Sequence, residues 1–284
     1  MERVAVLGAG TMGHGIAQVC AMAGYVVSLA DATEDLARRG LERIRTNLDE
    51  GVQRGKLDAA AADTHYGRVQ VMPSLDAAAQ GADIIIEAVP EKAELKRDVL
   101  ARAERAADES ALLASNTSSL SIGDMQQWLT RPQQFLGLHF FNPVHINRLV
   151  EVVRGPHSTD PTVQRGLELV ARIGKEAVLV NDSPGFATSR LGVLLGLEAM
   201  RMVEEGVASA ADIDRAMELG YRHPMGPLRL TDLVGLDVRL DIARYLHEKL
   251  RAEHYRPPRI LERMVADGTL GRKSGRGFYD WSEG

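Results

Sequence analysis

Val4-Ala-Val-Leu7 is a short, unbroken apolar run that passes directly into Gly8-Ala9-Gly10-Thr11-Met12-Gly13 and then into a helix-spaced stretch from about Met12 to Ala23. An apolar run without alternation suits a strand covered on both faces, as in a parallel sheet. A GxGxxG that follows a strand and opens a helix has the context of a dinucleotide fingerprint. Gly8 permits the tight turn, Gly10 lets the backbone approach a pyrophosphate, and Gly13 lets the helix pack closely on the strand. The helix start supplies uncommitted N–H groups and the positive end of its dipole. The plainer alternative is a glycine-rich turn that holds no ligand.

Tyr25 to Ala30 reads as the second strand, and Asp31 ends it at roughly the 20-residue distance at which the fingerprint places its ribose-binding acid. A carboxylate there accepts hydrogen bonds from the ribose hydroxyls and repels a 2′-phosphate, which favours NAD over NADP. Asp31 could instead cap the next helix, with Thr33 close by. That helix runs from Thr33 to about Arg54, with Leu36, Leu41, Ile44, Leu48 and Val52 at helical spacing and Gly55 as its stop. Further strands are read at Val69–Met72, Ala82–Ile86 and Ala111–Ala114, with helical pieces at 75–80 and 91–107.

The next strand ends in Gly137-Leu-His139-Phe-Phe-Asn142-Pro143, and Leu149 to Val153 starts another that carries Glu151. An imidazole exchanges a proton near neutral pH, and a carboxylate from the adjoining strand can fix its tautomer and stabilise its charged form. A core histidine beside a solvated glutamate is the competing reading of this stretch. Four strand ends present the glycine loop, Glu87 to Glu91, Ser115 to Ser119 and His139 to Asn142, and in a parallel sheet all four converge on one crevice.

Strand patterns stop after Glu176–Val180, and Asn181-Asp-Ser183-Pro184-Gly-Phe186 marks a boundary at which Ser183 suits an N-cap and Pro184 a first helical position. Phe186 to Val203 is apolar on nearly every side, as in a buried helix, and helical patterns follow over Ala210–Leu219, Leu228–Arg251 and Pro258–Ala266. The expected architecture is α/β: a Rossmann-type, doubly wound, mostly parallel sheet over 1–183, then an all-α C-terminal domain over 184–284. The chain's 284 residues suffice for two such domains. A net charge of −5 offers no field for nucleic acid or anionic lipid. The single cysteine, Cys20, rules out an internal disulfide and fits a reducing compartment. No signal peptide and no membrane-length apolar run are seen, so a cytoplasmic protein is expected.

With His139-Phe-Phe-Asn142-Pro143, Ser115-Asn-Thr-Ser-Ser119, the glycine loop and Asp182-Ser-Pro-Gly-Phe186 in hand, the chain resembles the L-3-hydroxyacyl-CoA dehydrogenases. The likeness continues through Met225-Gly-Pro227, Asp232-Leu-Val-Gly-Leu-Asp237 and Gly271-Arg-Lys273-Ser-Gly-Arg-Gly277-Phe-Tyr279, and so spans essentially the whole chain. The resemblance implies NAD as cofactor, a 3-hydroxyacyl-CoA as substrate and a place in fatty-acid β-oxidation; a homodimer is expected because so apolar a helical domain favours burial against a twin subunit. It implies that His139 is the catalytic acid–base group and Glu151 its partner. Ser118 and Asn142 would bond the reacting oxygen or the nicotinamide, and Glu91, Lys96 and Lys273 would line the cofactor site. Asn47, Arg54 and Lys56 fall where the family contacts coenzyme A. Ser189 departs from the pattern: members often have asparagine there, within reach of the substrate carbonyl, and serine is shorter. No metal is called for, since no His/Cys cluster has ligand spacing. A short-chain 3-hydroxyacid dehydrogenase is a second enzyme reading, but those depend on a lysine in the long helix after the boundary, and Phe186 to Glu205 contains none. A crystallin-like, non-catalytic use of the scaffold is a third.

Overall fold

A computed structural model describes residues 2–282. The chain divides into two compact units, Met1–Ser183 and Pro184–Gly284. In the first, β1 (Arg3–Leu7), β2 (Val26–Ala30), β3 (Val69–Val71), β4 (Ile84–Glu87), β5 (Leu112–Ser115), β6 (Phe135–Phe140), β7 (Leu149–Arg154) and β8 (Glu176–Asn181) form one sheet in the order β3-β2-β1-β4-β5-β6-β7-β8. The pairings from β3 through to β6 are parallel, β7 runs antiparallel to β6, and β8 is parallel to β7. This is the Rossmann-like, mostly parallel sheet, with strand order reversing at β1 between β2 and β4. The central strands read as unbroken apolar runs because both faces are covered, and Val4 to Leu7 and Ile85 to Ile86 have no exposed surface.

The connecting helices are α1 (Gly13–Met22), α2 (Glu34–Gln53), α3 (Ala59–Gly67), α4 (Leu75–Ala79), α5 (Ala93–Ala106), α6 (Ile122–Gln126) and α7 (Asp160–Arg172). Thr33 caps α2 by accepting from the Leu36 amide at 3.3 Å, so capping is not the work of Asp31. Two of these helices escape the sequence pattern. In α3 only Ala62 is buried, which leaves no apolar period, and α6 is a five-residue turn inside a polar stretch capped by Ser121. Cys20 is fully buried, and desolvation pushes its thiol up to about 12, which makes it inert at neutral pH. No helix of the described residues is long and apolar enough to cross a membrane.

The second unit is helical: α8 (Thr188–Glu204), α9 (Ala210–Tyr221), α10 (Pro227–Val234), α11 (Leu236–Leu250) and α12 (Arg259–Ala266). Three sequence expectations are corrected here. Pro184 does not open α8: Gly185 (φ 77°) and Phe186 (φ 49°) turn the chain first, and the helix starts at Thr188. The stretch from Leu228 to Arg251 is two helices, broken by Gly235 at φ 104°. Nor is α8 buried all round, since Leu191 is 61% and Leu195 43% exposed.

Two of the motifs that carry the family resemblance, Asp232 to Asp237 and Gly271 to Tyr279, meet at Asp232. Its fully buried carboxylate accepts from the Phe278 amide (3.0 Å), the Tyr279 amide (2.9 Å) and Trp281 Nε1 (2.9 Å), which ties the closing segment to α10. A Cβ on Gly277 would lie 2.1 Å from Asp232 Oδ1, so glycine is required for this approach. Removing a buried acceptor strands its donors, at about 1–3 kcal/mol for each affected group. Asp232→Ala is therefore expected to lower unfolding free energy by about 3 kcal/mol, with a smaller loss for Asp232→Asn, which keeps one acceptor oxygen. Urea unfolding of the two variants checks this, and a loss near zero in Asp232→Ala would contradict it.

Candidate active site

The glycine loop is held by contacts that leave no room for side chains. Gly8 (φ 104°) donates its amide to Ala30 O at 2.8 Å, and a Cβ on it would lie 2.6 Å from Ala88 O. A Cβ on Gly13 would lie 1.7 Å from Gly8 O, which is the helix-on-strand contact expected of that glycine. Gly10 differs: a Cβ there would meet nothing within 4 Å, because it would project into the open space beside the loop. Asp31 braces the loop, with Oδ2 accepting from the Ala9 amide (2.7 Å) and Oδ1 from the Ala32 amide (2.6 Å). Each carboxylate oxygen offers two lone pairs, so both keep an acceptor position for a ribose hydroxyl. The start of α1 has no side-chain cap and no acid in its first turn, which suits a phosphate.

The ends of β4 and β5 are joined by a buried polar network. Glu87 has no exposed surface, and its carboxylate takes Lys96 Nζ at 2.7 and 3.0 Å, Ser115 Oγ at 2.5 Å and the Val89 amide at 2.7 Å. Lys96 also reaches Glu91 Oε2 at 3.2 Å. Glu91 Oε1 gathers Thr117 Oγ1 (2.5 Å), the Ser118 amide (3.0 Å), and the amide and hydroxyl of Ser119 (3.1 and 3.0 Å). Burial pushes the Glu87 carboxyl above its usual range even against the pull of the Lys96 ammonium. Desolvation acts in the same sense on Glu91 but is outweighed by Lys96 and the hydroxyl and amide donors, which hold that carboxyl below the usual range. Lys96 is therefore no lining residue, as the resemblance implied; at 1% exposure it lies beneath the surface and holds Glu91, which does line the site.

His139 stands within β6, one residue before its end, and pairs directly with Glu151 in the antiparallel register with β7. The facing Cβ atoms of such a pair are close enough for their side chains to meet. His139 Nδ1 lies 2.8 Å from Glu151 Oε2, with Glu151 fully buried and His139 7% exposed. Phe141 packs against the imidazole with ring centres 4.4 Å apart. Asn116 Oδ1 accepts from the Phe140 amide at 2.9 Å while its own amide donates to Glu87 O at 2.8 Å, locking together the carboxyl ends of β4, β5 and β6.

A cavity of about 650 Å³ opens at these strand ends. Of the residues proposed from sequence, Gly8, Gly10, Thr11, Met12, Asp31, Glu91, Ser118 and His139 line it. Ala9, Gly13 and Glu151 stand buried behind it, and Asn142 lies on the exposed turn after β6, its carbonyl accepting from Asn147 Nδ2 at 2.7 Å. Asn47, Arg54 and Lys56 lie apart from this cavity: Asn47 donates to Gln18 Oε1 at 2.9 Å, Arg54 pairs with Glu50 at 2.9 Å, and Lys56 is exposed just beyond α2. Ser189 and Lys273 belong to the second unit, Ser189 in the first turn of α8 and Lys273 paired with Asp237 at 2.5 Å. Glu87, Ser115 and Asn116 were read from sequence only as members of the strand-end stretches 87–91 and 115–119, with no role of their own. Their one visible signal is a charged or polar residue closing an apolar strand. Among the described residues no group of His, Cys, Asp or Glu side chains is placed to hold a metal ion. The glycine loop, the helix start, the acid at the end of β2 and the open space at Gly10 fit a dinucleotide.

Comparison with known proteins agrees with this geometry. Residues 3–183 match the 3-hydroxyacyl-CoA dehydrogenase NAD binding domain, and residues 185–281 the 3-hydroxyacyl-CoA dehydrogenase C-terminal domain. A probable 3-hydroxybutyryl-CoA dehydrogenase of Bacillus subtilis is 41% identical, covering 100% of this chain and 98% of that protein. The human mitochondrial hydroxyacyl-coenzyme A dehydrogenase is 38% identical over 99% of this chain and 91% of its own. The crystal structure of (S)-3-hydroxybutyryl-CoA dehydrogenase from Ralstonia eutropha superposes with a TM-score of 0.96 at 38% identity, covering 100% of both chains. With family matches over residues 3–183 and 185–281 and relatives of about 40% identity along the whole chain, the chain belongs to the 3-hydroxyacyl-CoA dehydrogenase family.

Proposed function

We propose that this protein oxidises an L-3-hydroxyacyl-CoA reversibly to the 3-oxoacyl-CoA with NAD, using His139 as the general base and Glu151 as the group that orients and stabilises it. The observation that carries this reading is the 2.8 Å contact between His139 Nδ1 and the buried Glu151 carboxylate at the wall of the cavity that holds the glycine loop. With Nδ1 engaged by the carboxylate, the proton of the 3-hydroxyl is exchanged at Nε2. Glu151 compensates the imidazolium so formed, in a place where water is too scarce to do so. In the reverse direction the same imidazolium protonates the alkoxide. When bound, NAD supplies the hydride acceptor. Gly8 to Gly13 and the start of α1 would hold its pyrophosphate, Asp31 its adenosine ribose, and Glu91 with the Ser118 loop would flank the nicotinamide end. By resemblance, Ser118 and Asn142 would hydrogen-bond the reacting oxygen, an interaction that gains strength in a water-poor cleft.

The relatives' names favour a short acyl chain. Asn47, Arg54 and Lys56 at the end of α2 would meet coenzyme A, and the helical unit would supply the acyl cleft, including Ser189, and the surface of a homodimer. Exposed Leu191, Leu195, Leu230, Leu233 and Val238 support that dimer, since so many large apolar side chains on one small unit favour burial against a twin. A reducing cytoplasmic setting agrees with the buried, unpaired Cys20. Fatty-acid β-oxidation is the setting we assign to this substrate class, on the strength of the resemblance.

His139→Gln is expected to lower kcat with acetoacetyl-CoA and NADH by roughly 10²-fold or more while NADH affinity stays close to that of wild type. Glu151→Gln should act in the same direction. Near-normal turnover in a folded His139→Gln protein would refute the assignment. A second expectation concerns the nicotinamide cofactor: wild type should turn over NADH far faster than NADPH, and Asp31→Ser should narrow that ratio, because a carboxylate repels the 2′-phosphate. Equal use of the two cofactors by wild type would show that Asp31 only braces the loop.

A further inference from the structure

Asn116 directly follows β5, is half-buried, and lines the cavity at the strand ends. The pairing of β5 with β6 stops at Ser115, opposite Gly137, so the Phe140 amide lies beyond the last rung of that ladder. The Asn116 side chain supplies the missing acceptor through Oδ1 at 2.9 Å. A backbone N–H can only donate, so the oxygen of the side-chain amide must be the atom that faces Phe140, and Nδ2 is left on the other arm of the planar group. Among the described residues nothing accepts from its two N–H donors. They are what this side chain has to offer the cavity.

The strand order β2-β1-β4-β5-β6 sets Asp31, the glycine loop, Glu91, Asn116 and His139 one after another along that cavity. With strands about 4.8 Å apart, β5 lies about 10 Å from β1 and directly beside β6. A dinucleotide with its adenosine ribose at Asp31 and its pyrophosphate at the glycine loop therefore brings its nicotinamide to the ends of β4 and β5. Hydride transfer asks for the same place. The reacting ring carbon must stand beside the carbon whose hydroxyl His139 serves, and the carboxamide is carried on the neighbouring ring atom. The other side-chain donors on this stretch have work already: His139 and Ser118 serve the reacting oxygen, and Lys96 is held by Glu87 and Glu91.

We propose that Asn116 is a cofactor-binding residue whose Nδ2 donates to the carboxamide oxygen of the nicotinamide while its Oδ1 holds the strand that carries His139. This inference rests on the dehydrogenase reading of the previous subsection and adds the group that fixes the orientation of the ring. Turning the ring over about its glycosidic bond would present the opposite face to the substrate and carry the carboxamide away from Nδ2. One planar amide thus sets the hydride acceptor and the proton acceptor relative to each other.

The test is calorimetric titration, which reads binding without turnover, with NADH and with its thionicotinamide analogue, in which sulfur, a weaker acceptor, replaces the carboxamide oxygen. Wild type should bind NADH about fivefold more tightly than the analogue, the worth of one neutral hydrogen bond. Asn116→Asp keeps an acceptor for the Phe140 amide and lacks the donor, so its NADH affinity should fall about fivefold or more and its ratio to the analogue approach one. Asn116→Ala should lose the same affinity and, without the tie to Phe140, also melt at a lower temperature. Wild-type NADH affinity in Asn116→Asp would show that the residue serves only the tie, and overturns the proposal. A weaker NADH affinity that keeps the wild-type ratio marks charge repulsion alone and overturns it too, as does a loss confined to the KM for acetoacetyl-CoA, which puts the donor on the substrate. Wild type that binds NADH and the analogue equally overturns the proposal and leaves the dehydrogenase reading standing, whereas wild type that binds neither sinks both. Should Asn116→Ala fail to fold, Asn116→Asp and the analogue still decide.

Discussion

Glu87 closes β4 with a carboxylate that has no exposed surface, and most of the cofactor-binding end of the sheet follows from how that charge is accommodated. A buried carboxylate must be paired and hydrogen-bonded, so Lys96 turns inward from α5 and Ser115 inward from β5. Lys96 then has charge to spare for Glu91, and Glu91 in turn collects Thr117, Ser118 and Ser119 into a fixed loop. Buried ion pairs of this sort add little net stability over a well-packed apolar core, because desolvation offsets most of the Coulomb gain. What this one supplies is position: two strand ends and a loop are set relative to one another by bonds with narrow geometric tolerance.

The His139–Glu151 pair depends on a different constraint, the antiparallel return of β7 along β6. Elsewhere the paired strands from β3 to β6 run parallel and release their last residues toward the cavity, so an acid brought from the start of a neighbouring parallel strand would lie at the far end of the sheet. The reversal at 141–148 brings Glu151 back level with His139. Because side chains alternate between faces, a register slip of one residue would point the glutamate to the opposite face. Asn116 adds a tie across the same edge by accepting from the Phe140 amide beside the histidine.

The helical unit shows two opposite treatments of buried charge. Asp232 is satisfied by three donors from the closing segment, which makes Asp232-Leu-Val-Gly-Leu-Asp237 and Gly271 to Tyr279 a single structural device. Arg239 is buried to nearly the same degree with its Nε unbonded, beside a helix face made of glycine. Burial alone thus does not assign a polar group its partner: Thr231 Oγ1 and His247 Nδ1 of the same unit are likewise buried and unbonded.

Much of this protein is legible in its sequence because the signals are local. Continuous apolar runs, three glycines at a set spacing and an acid at the end of the second strand specify a Rossmann-type sheet and its dinucleotide loop, since each requirement concerns backbone conformation within a few residues. Helices with a strong apolar period, α2 and α7 among them, are equally plain, whereas α3 and α6 carry no such period and are formed by their caps and surroundings. The break at Gly235 and the late start of α8 needed the tertiary structure, because a helical pattern continues across a residue that only packing forces out of helical conformation. The same holds for the site. Sequence alone supplied His139, Glu151, Asp31 and Ser118 as candidates, but the partners of Lys96, the bridging place of Asn116, the registration of His139 against Glu151 and the isolation of Arg239 are relations between residues far apart in the chain. They are decided by which strands pair and which helices cover them, and that information resides in long-range packing rather than in any local stretch of residues.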